Sequence, residues 1–151
     1  MVTTLAGRRK DYYEATLQLR DVAPDFIDRV IAEIQDSGKC AISRIKPSPR
    51  GVDMFMSDQH YTQSLGRRLK AKFGGELVVT KKLYGRWSKT GHIVYRVTVM
   101  YRKLPFMVGD VIETDEGQVR VMAIKKTVQV QNIESGRKEQ LRPEQLVRFI
   151  R

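Results

Sequence analysis

Few residues in this chain have the types and spacing that covalent chemistry requires. The sequence holds two histidines, His60 and His92, and a single cysteine, Cys40. It contains no HExxH, Walker-type, GxSxG or CxxC pattern. His60 reads as a surface or capping residue near a helix start, His92 as the opening of a strand, and Cys40 as a small buried residue. Asp53 and Asp58 could pair as acid and base, but Asp58 falls in a first helical turn, where the helix dipole alone favours a carboxylate. A small phosphatase would need an arginine in a glycine-rich phosphate loop and a water-orienting asparagine, and the only asparagine is Asn132. The reading is therefore of a chain with no catalytic residue, no metal ligand and no cofactor, and not of an enzyme. What does recur is cationic chemistry. Arg44, Lys46, Arg50, Arg67, Arg68, Lys70, Lys72, Lys81, Lys82, Arg86 and Lys89 gather around one helix, the loop before its strand and the strand after it. Cations spread over an area suit backbone phosphates, and Trp87, with Tyr84 and Tyr95, offers stacking surface.

The charge balance agrees. Among 151 residues, 28 are Lys or Arg and 17 Asp or Glu, a net charge of +11 with a sequence pI near 10.0. Residues 44–103 hold 14 basic and 3 acidic residues, whereas 104–151 hold 8 and 7, so the positive field belongs to one region. Such an excess attracts polyanions, nucleic acid before others. No run approaches the ~18 apolar residues of a membrane span. The opening MVTTLAGRRK lacks the apolar core of a signal peptide. One cysteine excludes an internal disulfide and fits a reducing, cytoplasmic setting. Neither a membrane nor a small-molecule substrate is expected as a partner.

The elements that must position the cations can be traced in order. Residues 1–9 read as a flexible tail. From Asp11 to Arg20 the chain alternates, with Tyr13, Ala15, Leu17 and Leu19 on one strand face. Pro24 and Gly38 bracket a helix whose Phe26, Ile27, Val30, Ile31 and Ile34 keep helical spacing. Cys40 to Ile45 predicts a short strand, Pro47 to Gly51 a turn-rich loop, and Gly51 to Met56 another strand. Ser57 is read as the cap of a second helix, whose narrow stripe of Tyr61, Leu65, Leu69 and Phe73 leaves Arg67, Arg68, Lys70 and Lys72 outward or at its edge. Gly74-Gly75 ends that helix. Leu77 to Trp87 and Ile93 to Arg102 predict a hairpin, with Arg96, Thr98 and Arg102 on the face opposite Tyr95, Val97, Val99 and Tyr101.

This order, β-α-β-β-α-β-β, predicts an α+β fold over residues 10–103: a split βαβ (ferredoxin-like) arrangement, two helices on one face of an antiparallel sheet. Beyond Leu104-Pro105 helical periodicity stops. Val108 to Ile112, Gln118 to Ile124, Thr127 to Ile133, Arg137 to Leu141 and Val147 to Ile150 read as five strands of a small SH3-like β-barrel spanning 106–151. Lys125 and Lys126, in the break between two of these strands, are its candidate contacts with a tRNA site or a protein partner.

Split βαβ sheets also include RNA-recognition motifs, but Val52 and Met54 occupy the places where stacking aromatics are needed, which argues for phosphate and shape contact with folded RNA. The other function class open to such a sheet is a protein-interaction or regulatory small-molecule module. Steep salt dependence of binding separates the two.

Asp11-Tyr12-Tyr13-Glu14-Ala15 with Leu17-Gln18-Leu19-Arg20, then Gly51 to Ser57, Thr80-Lys81-Lys82-Leu83, and Val94 to Val99 resemble the core of the large-ribosomal-subunit export adaptor family, the nonsense-mediated decay protein three family. The resemblance runs from about Lys10 through nearly the whole chain, and is to an archaeal-type member lacking the N-terminal zinc modules. It implies a first domain similar to a large-subunit ribosomal protein and a second similar to the barrel of the hypusine-bearing elongation factor. It further implies a non-enzymatic factor that binds the large ribosomal subunit, through ribosomal RNA and ribosomal proteins, in late assembly or to keep subunits apart by covering tRNA sites.

Overall fold

In a computed structural model of the chain, residues 12–86 and 93–150 are described. They form a mixed α+β structure of two sheets and three helices. Strand β1 (Ala15–Arg20) alternates as its sequence dictates, with Ala15, Leu17 and Leu19 fully buried. Tyr13 departs from that alternation, because the strand begins only at Ala15 after a bend at Glu14, and its ring turns to the opposite face against Phe55. Helix α1 (Pro24–Ser37) starts on its proline, ends on Gly38 at φ 66°, and buries Phe26, Val30 and Ile34. Strand β2 (Ile42–Ser48) extends past the predicted Cys40–Ile45 run, with Pro47 inside it. Because β2 is an edge strand, the missing proline N–H interrupts no ladder. The predicted loop shrinks to a tight turn before β3 (Gly51–Met56), where a Cβ on Gly51 would lie 1.7 Å from the Leu19 carbonyl oxygen. Helix α2 (Gln59–Phe73) is capped by Asp58, not Ser57. The Asp58 carboxylate accepts from the Tyr61 N–H at 2.8 Å, and the Ser57 hydroxyl accepts from the Ala41 N–H at 2.8 Å.

After α2 come β4 (Glu76–Arg86) and β5 (Ile93–Arg102), and the sheet order is β2-β3-β1-β5-β4. The expected antiparallel split βαβ sheet would set the strand after the second helix beside β1. Here β5 stands there instead, parallel to β1, and β4 is displaced to the edge. The side chains explain the exchange. Val97, Val99 and Tyr101 of β5 are all buried and need strands on both sides with helices above. On β4, Val79 and Leu83 are exposed at 39% and 61%, which an edge tolerates. Both helices pack on the Ala15, Leu17 and Leu19 face, closing a core with Met54, Met56, Leu65 and Tyr101. Where α2 crosses β5, a Cβ on Gly66 would come within 2.7 Å of Val99 Cγ1, so the glycine sets how close the helix lies.

The second sheet, β6 (Val111–Thr114), β7 (Gly117–Ile124), β8 (Val128–Asn132) and β9 (Lys138–Leu141), is an antiparallel meander in that order. Its first strand starts at Val111, later than the Val108 of the sequence reading. The predicted fifth strand, Val147 to Ile150, is not one. Pro143 instead opens a short helix, α3 (Pro143–Val147), whose Gln145 side chain accepts from the Arg142 N–H at 2.8 Å and whose Leu146 is buried. This sheet has a core of its own, including Phe106, Val121, Val128 and Leu146. Leu104 of the joint belongs to that core, so the connection is packed against the second sheet. No helix among the described residues is long and apolar enough to cross a membrane.

Candidate nucleic-acid interface

Helix α2 is the element that orients the cations. Tyr61, Leu65 and Leu69 are buried, and Phe73 meets Phe26 edge to face with ring centroids 5.1 Å apart. At the other end the Glu14 carboxylate accepts from the Gln59 N–H at 2.9 Å, so two acids satisfy the first N–H groups and hold the helix in place along the sheet. With the stripe anchored, Arg67, Arg68 and Lys72 are exposed. Arg68 donates to Ser64 Oγ at 2.8 Å and lies 3.6 Å from Glu33, and Lys72 sits 5.4 Å from the Phe73 ring.

Sequence reasoning missed two neighbours of this row. Arg29 of α1 lines a cleft of about 160 Å³ with Phe26, Phe73, Arg68 and Lys72 between the two helices, and Lys103 stands 5.6 Å from the Phe26 ring. Arg29 is one helical turn from both Phe26 and Glu33, so periodicity carried a signal for it. Lys103 carried none, because the end of β5 reaches α1 only in three dimensions.

Tertiary structure divides the remaining predicted cations between faces. Lys70, half-buried, donates to the Ile124 carbonyl oxygen at 2.6 Å and so ties α2 to the second sheet. Directly after Ile124, Lys125 and Lys126 are exposed in the β7–β8 turn, on the Lys70 side of α2, whereas Arg68 and Lys72 face α1. Arg50, at the β2–β3 turn, makes a two-pronged pair with Asp21 at 2.8 and 2.5 Å, which matches its charge internally. Arg44 and Lys46 are exposed on β2, and their register partners Phe55 and Asp53 place them on the sheet face away from the helices. Lys81 and Lys82 are exposed on opposite faces of β4. Arg86 ends that strand, whereas Trp87 and Lys89 lie outside the described residues. One cluster in the sequence is thus two surfaces, separated by the sheet: Arg67, Arg68 and Lys72 with Arg29 on the helical side, and Arg44, Lys46 and Lys82 on the other.

The side chains first considered for catalysis have structural partners. Asp53 accepts from Arg20 Nη2 at 2.6 Å, and Asp58 caps α2, so the two carboxylates are not brought together. Cys40 is half-buried, and desolvation pushes its thiol pKa up, which keeps it protonated. His60 is exposed at the start of α2, and His92 lies outside the described residues. Among the described residues no group of three His, Cys, Asp or Glu side chains could hold a metal. At the junction of the sheets, Arg102 faces Glu76 and Glu144, each at 3.9 Å, and burial raises the Glu76 pKa even against the opposing pull of Arg102.

This geometry offers arrays of positive charge on a rigid frame. Residues 12–102, the first sheet with both its helices, match the family model described as NMD3, second domain. No curated protein matches the chain. The matched span covers more than half of the sequence and includes every element that positions the α2 cations, and the chain belongs to the NMD3 family, large-ribosomal-subunit export and biogenesis adaptors that are not enzymes.

Proposed function

We propose that this chain is a non-enzymatic factor that binds ribosomal RNA on the large subunit in the cytoplasm, in late subunit assembly or to keep the subunits apart by covering tRNA sites. The observation that carries this reading is the row of Arg67, Arg68 and Lys72 on a helix whose opposite stripe is locked into the core, joined by Arg29 across the cleft between the helices. A helix anchored by its apolar stripe keeps its cations at a fixed spacing suited to phosphates, and the family membership points the array at the large subunit. We divide the chain at its two cores into an RNA-binding domain, 10–103, and a second domain, 106–151. The first is read as a ferredoxin-like sheet widened by insertion of β5. The second is read as an SH3-like fold in an open form, a meander completed by α3. Its exposed Met107, Val108, Val111 and Met122 suit a protein contact beside the lysine turn.

The test is co-sedimentation with purified large and small ribosomal subunits at about 50 and 200 mM salt. Six or more phosphate contacts should lower affinity roughly a thousandfold across that range. The triple variant Arg67→Glu, Arg68→Glu, Lys72→Glu should lose large-subunit binding. Equal binding to both subunits, or salt-indifferent binding, would sink the proposal and favour a protein-interaction module.

A further inference from the structure

The helical side of the first sheet carries the function proposed above. Neither α1 nor α2 packs on its other face, and the strand register defines what stands there. On β3, Val52, Met54 and Met56 turn to the helices, and Gly51, Asp53 and Phe55 to the open side. The aromatic that sequence reasoning sought at Val52 and Met54 is therefore present one residue further on. Phe55 is half-buried beside the Tyr13 ring, just before the neighbouring central strand β1, with centroids 4.8 Å apart and planes at 54°. The Arg96 guanidinium lies 3.9 Å from the Tyr13 ring centre and donates to its hydroxyl at 2.9 Å. Thr16, Gln18 and Thr98 fill the adjoining positions on β1 and β5.

Charge flanks this aromatic pair on both sides. Arg44 and Lys46 are exposed on the edge strand β2, and Lys82 on the edge strand β4. The acids of the same face are compensated within it: Asp53 is bonded to Arg20 at 2.6 Å, and Glu76 lies 3.9 Å from Arg102. Among the described residues no carboxylate is within ion-pair distance of Arg44, Lys46 or Lys82. From the second domain, Glu144 of α3 reaches this face at Arg102. By register that is the end of the sheet away from Phe55 and Tyr13.

We infer that this face binds an unpaired, single-stranded segment of RNA, with a base stacked on the Phe55–Tyr13 pair and its phosphates drawn to Arg44 and Lys46 on one edge and Lys82 on the other. The inference deepens the RNA-binding reading and rests on it. Five strands about 4.8 Å apart make a platform roughly 19 Å across, enough for a few nucleotides laid over the sheet. A duplex cannot use the aromatic pair, because its bases have no free face to stack. An unpaired base can, and it gains from the cations at either side. The two faces then take different elements of one folded RNA: paired backbone on the helices, an unpaired stretch on the open sheet.

The experiment is fluorescence anisotropy of the full chain with labelled oligouridine and oligoadenine hexamers, alongside a hairpin duplex and the subunit sedimentation described above. Phe55→Leu keeps an apolar side chain and removes the ring; it should weaken hexamer binding about tenfold, equivalent to 1.4 kcal/mol, with duplex binding unchanged. Arg44→Glu with Lys46→Glu, both exposed, should weaken hexamers further without affecting folding, so it carries the test if Phe55→Leu fails to fold. The triple α2 reversal should leave hexamer binding intact. Unchanged hexamer affinity in the Arg44, Lys46 variant overturns the inference, as does unchanged affinity in a folded Phe55→Leu protein. Binding of an acidic peptide in place of the hexamers overturns it too, and makes the face a protein-docking surface. Loss of large-subunit binding by wild type with hexamer binding retained would refute the helical-face reading alone.

Discussion

Replacing Gly66 with alanine sets two physical effects of known size against each other. In an isolated helix the change is favourable by about 1 kcal/mol, because glycine has more conformational freedom to lose. In this fold Gly66 is pressed against β5: the new Cβ would lie 2.7 Å from Val99 Cγ1 and 2.9 Å from Leu77 Cδ1, where ordinary contact begins at 3.4 Å. Leu77 can rotate at its tip. Val99 cannot, being β-branched and fully buried on a central strand, so α2 must lift or the strand must give. Overpacking of this kind costs about 1–3 kcal/mol. Packing should win, and Gly66→Ala should destabilise the protein by on the order of 1 kcal/mol net. Urea unfolding followed by far-ultraviolet circular dichroism would read this as a lower midpoint with an unchanged slope. A higher midpoint would mean that the helix stands further from β5 than described, and the account of how α2 is held would be wrong.

Two further outcomes test other parts of the structure. Lys70→Met keeps the apolar stem and removes the bond to the Ile124 carbonyl; it should loosen the second sheet by about 1 kcal/mol, seen as faster proteolysis near residues 103–110. Large-subunit affinity should fall far less than with Arg67→Glu, and an equal fall would return Lys70 to the RNA-contact set. Burial pushes the Tyr101 hydroxyl, which donates to the Gly74 carbonyl at 2.8 Å, up to about 12. A folded-state value above the ordinary one near 10 stabilises the protein fully below pH ~10, and that contribution is lost as pH rises toward 12. Tyr101→Phe should therefore be less stable at pH 8, by roughly 1 kcal/mol for the lost bond, yet show a shallower alkaline decline. Parallel declines in the two proteins would refute the burial argument.

Local chemistry determined a good deal of this protein in advance. The alternation of Ala15, Leu17 and Leu19, the helical spacing of Phe26, Val30 and Ile34, the stripe of α2 and the outward Arg67, Arg68 and Lys72 all follow from side-chain periodicity, and all stand in the structure. So does the excess of positive charge in residues 44–103, which any arrangement of the chain preserves. Periodicity says which side chains share a face of one element; it says nothing of which strand lies beside which. That β5 inserts next to β1 and displaces β4 was decided by competition among strands for the interior position, an energy summed over the whole sheet. The same holds at residue scale. Lys70 and Lys72 look alike in sequence, but only Lys70 meets a carbonyl 54 residues away. Phe55 became an open-face aromatic because pairing with β1 set its register, and Tyr13 joined it because the strand begins late, at Ala15. Pro143 turned the expected last strand into a helix by combining with Gln145, a local signal outweighed in the reading by the apolar run that follows. The sequence alone thus determined that this is a basic α+β chain with an outward cationic helix. Only the tertiary structure decided that its cations form two surfaces back to back, because a sheet buries one face under helices and leaves the other open.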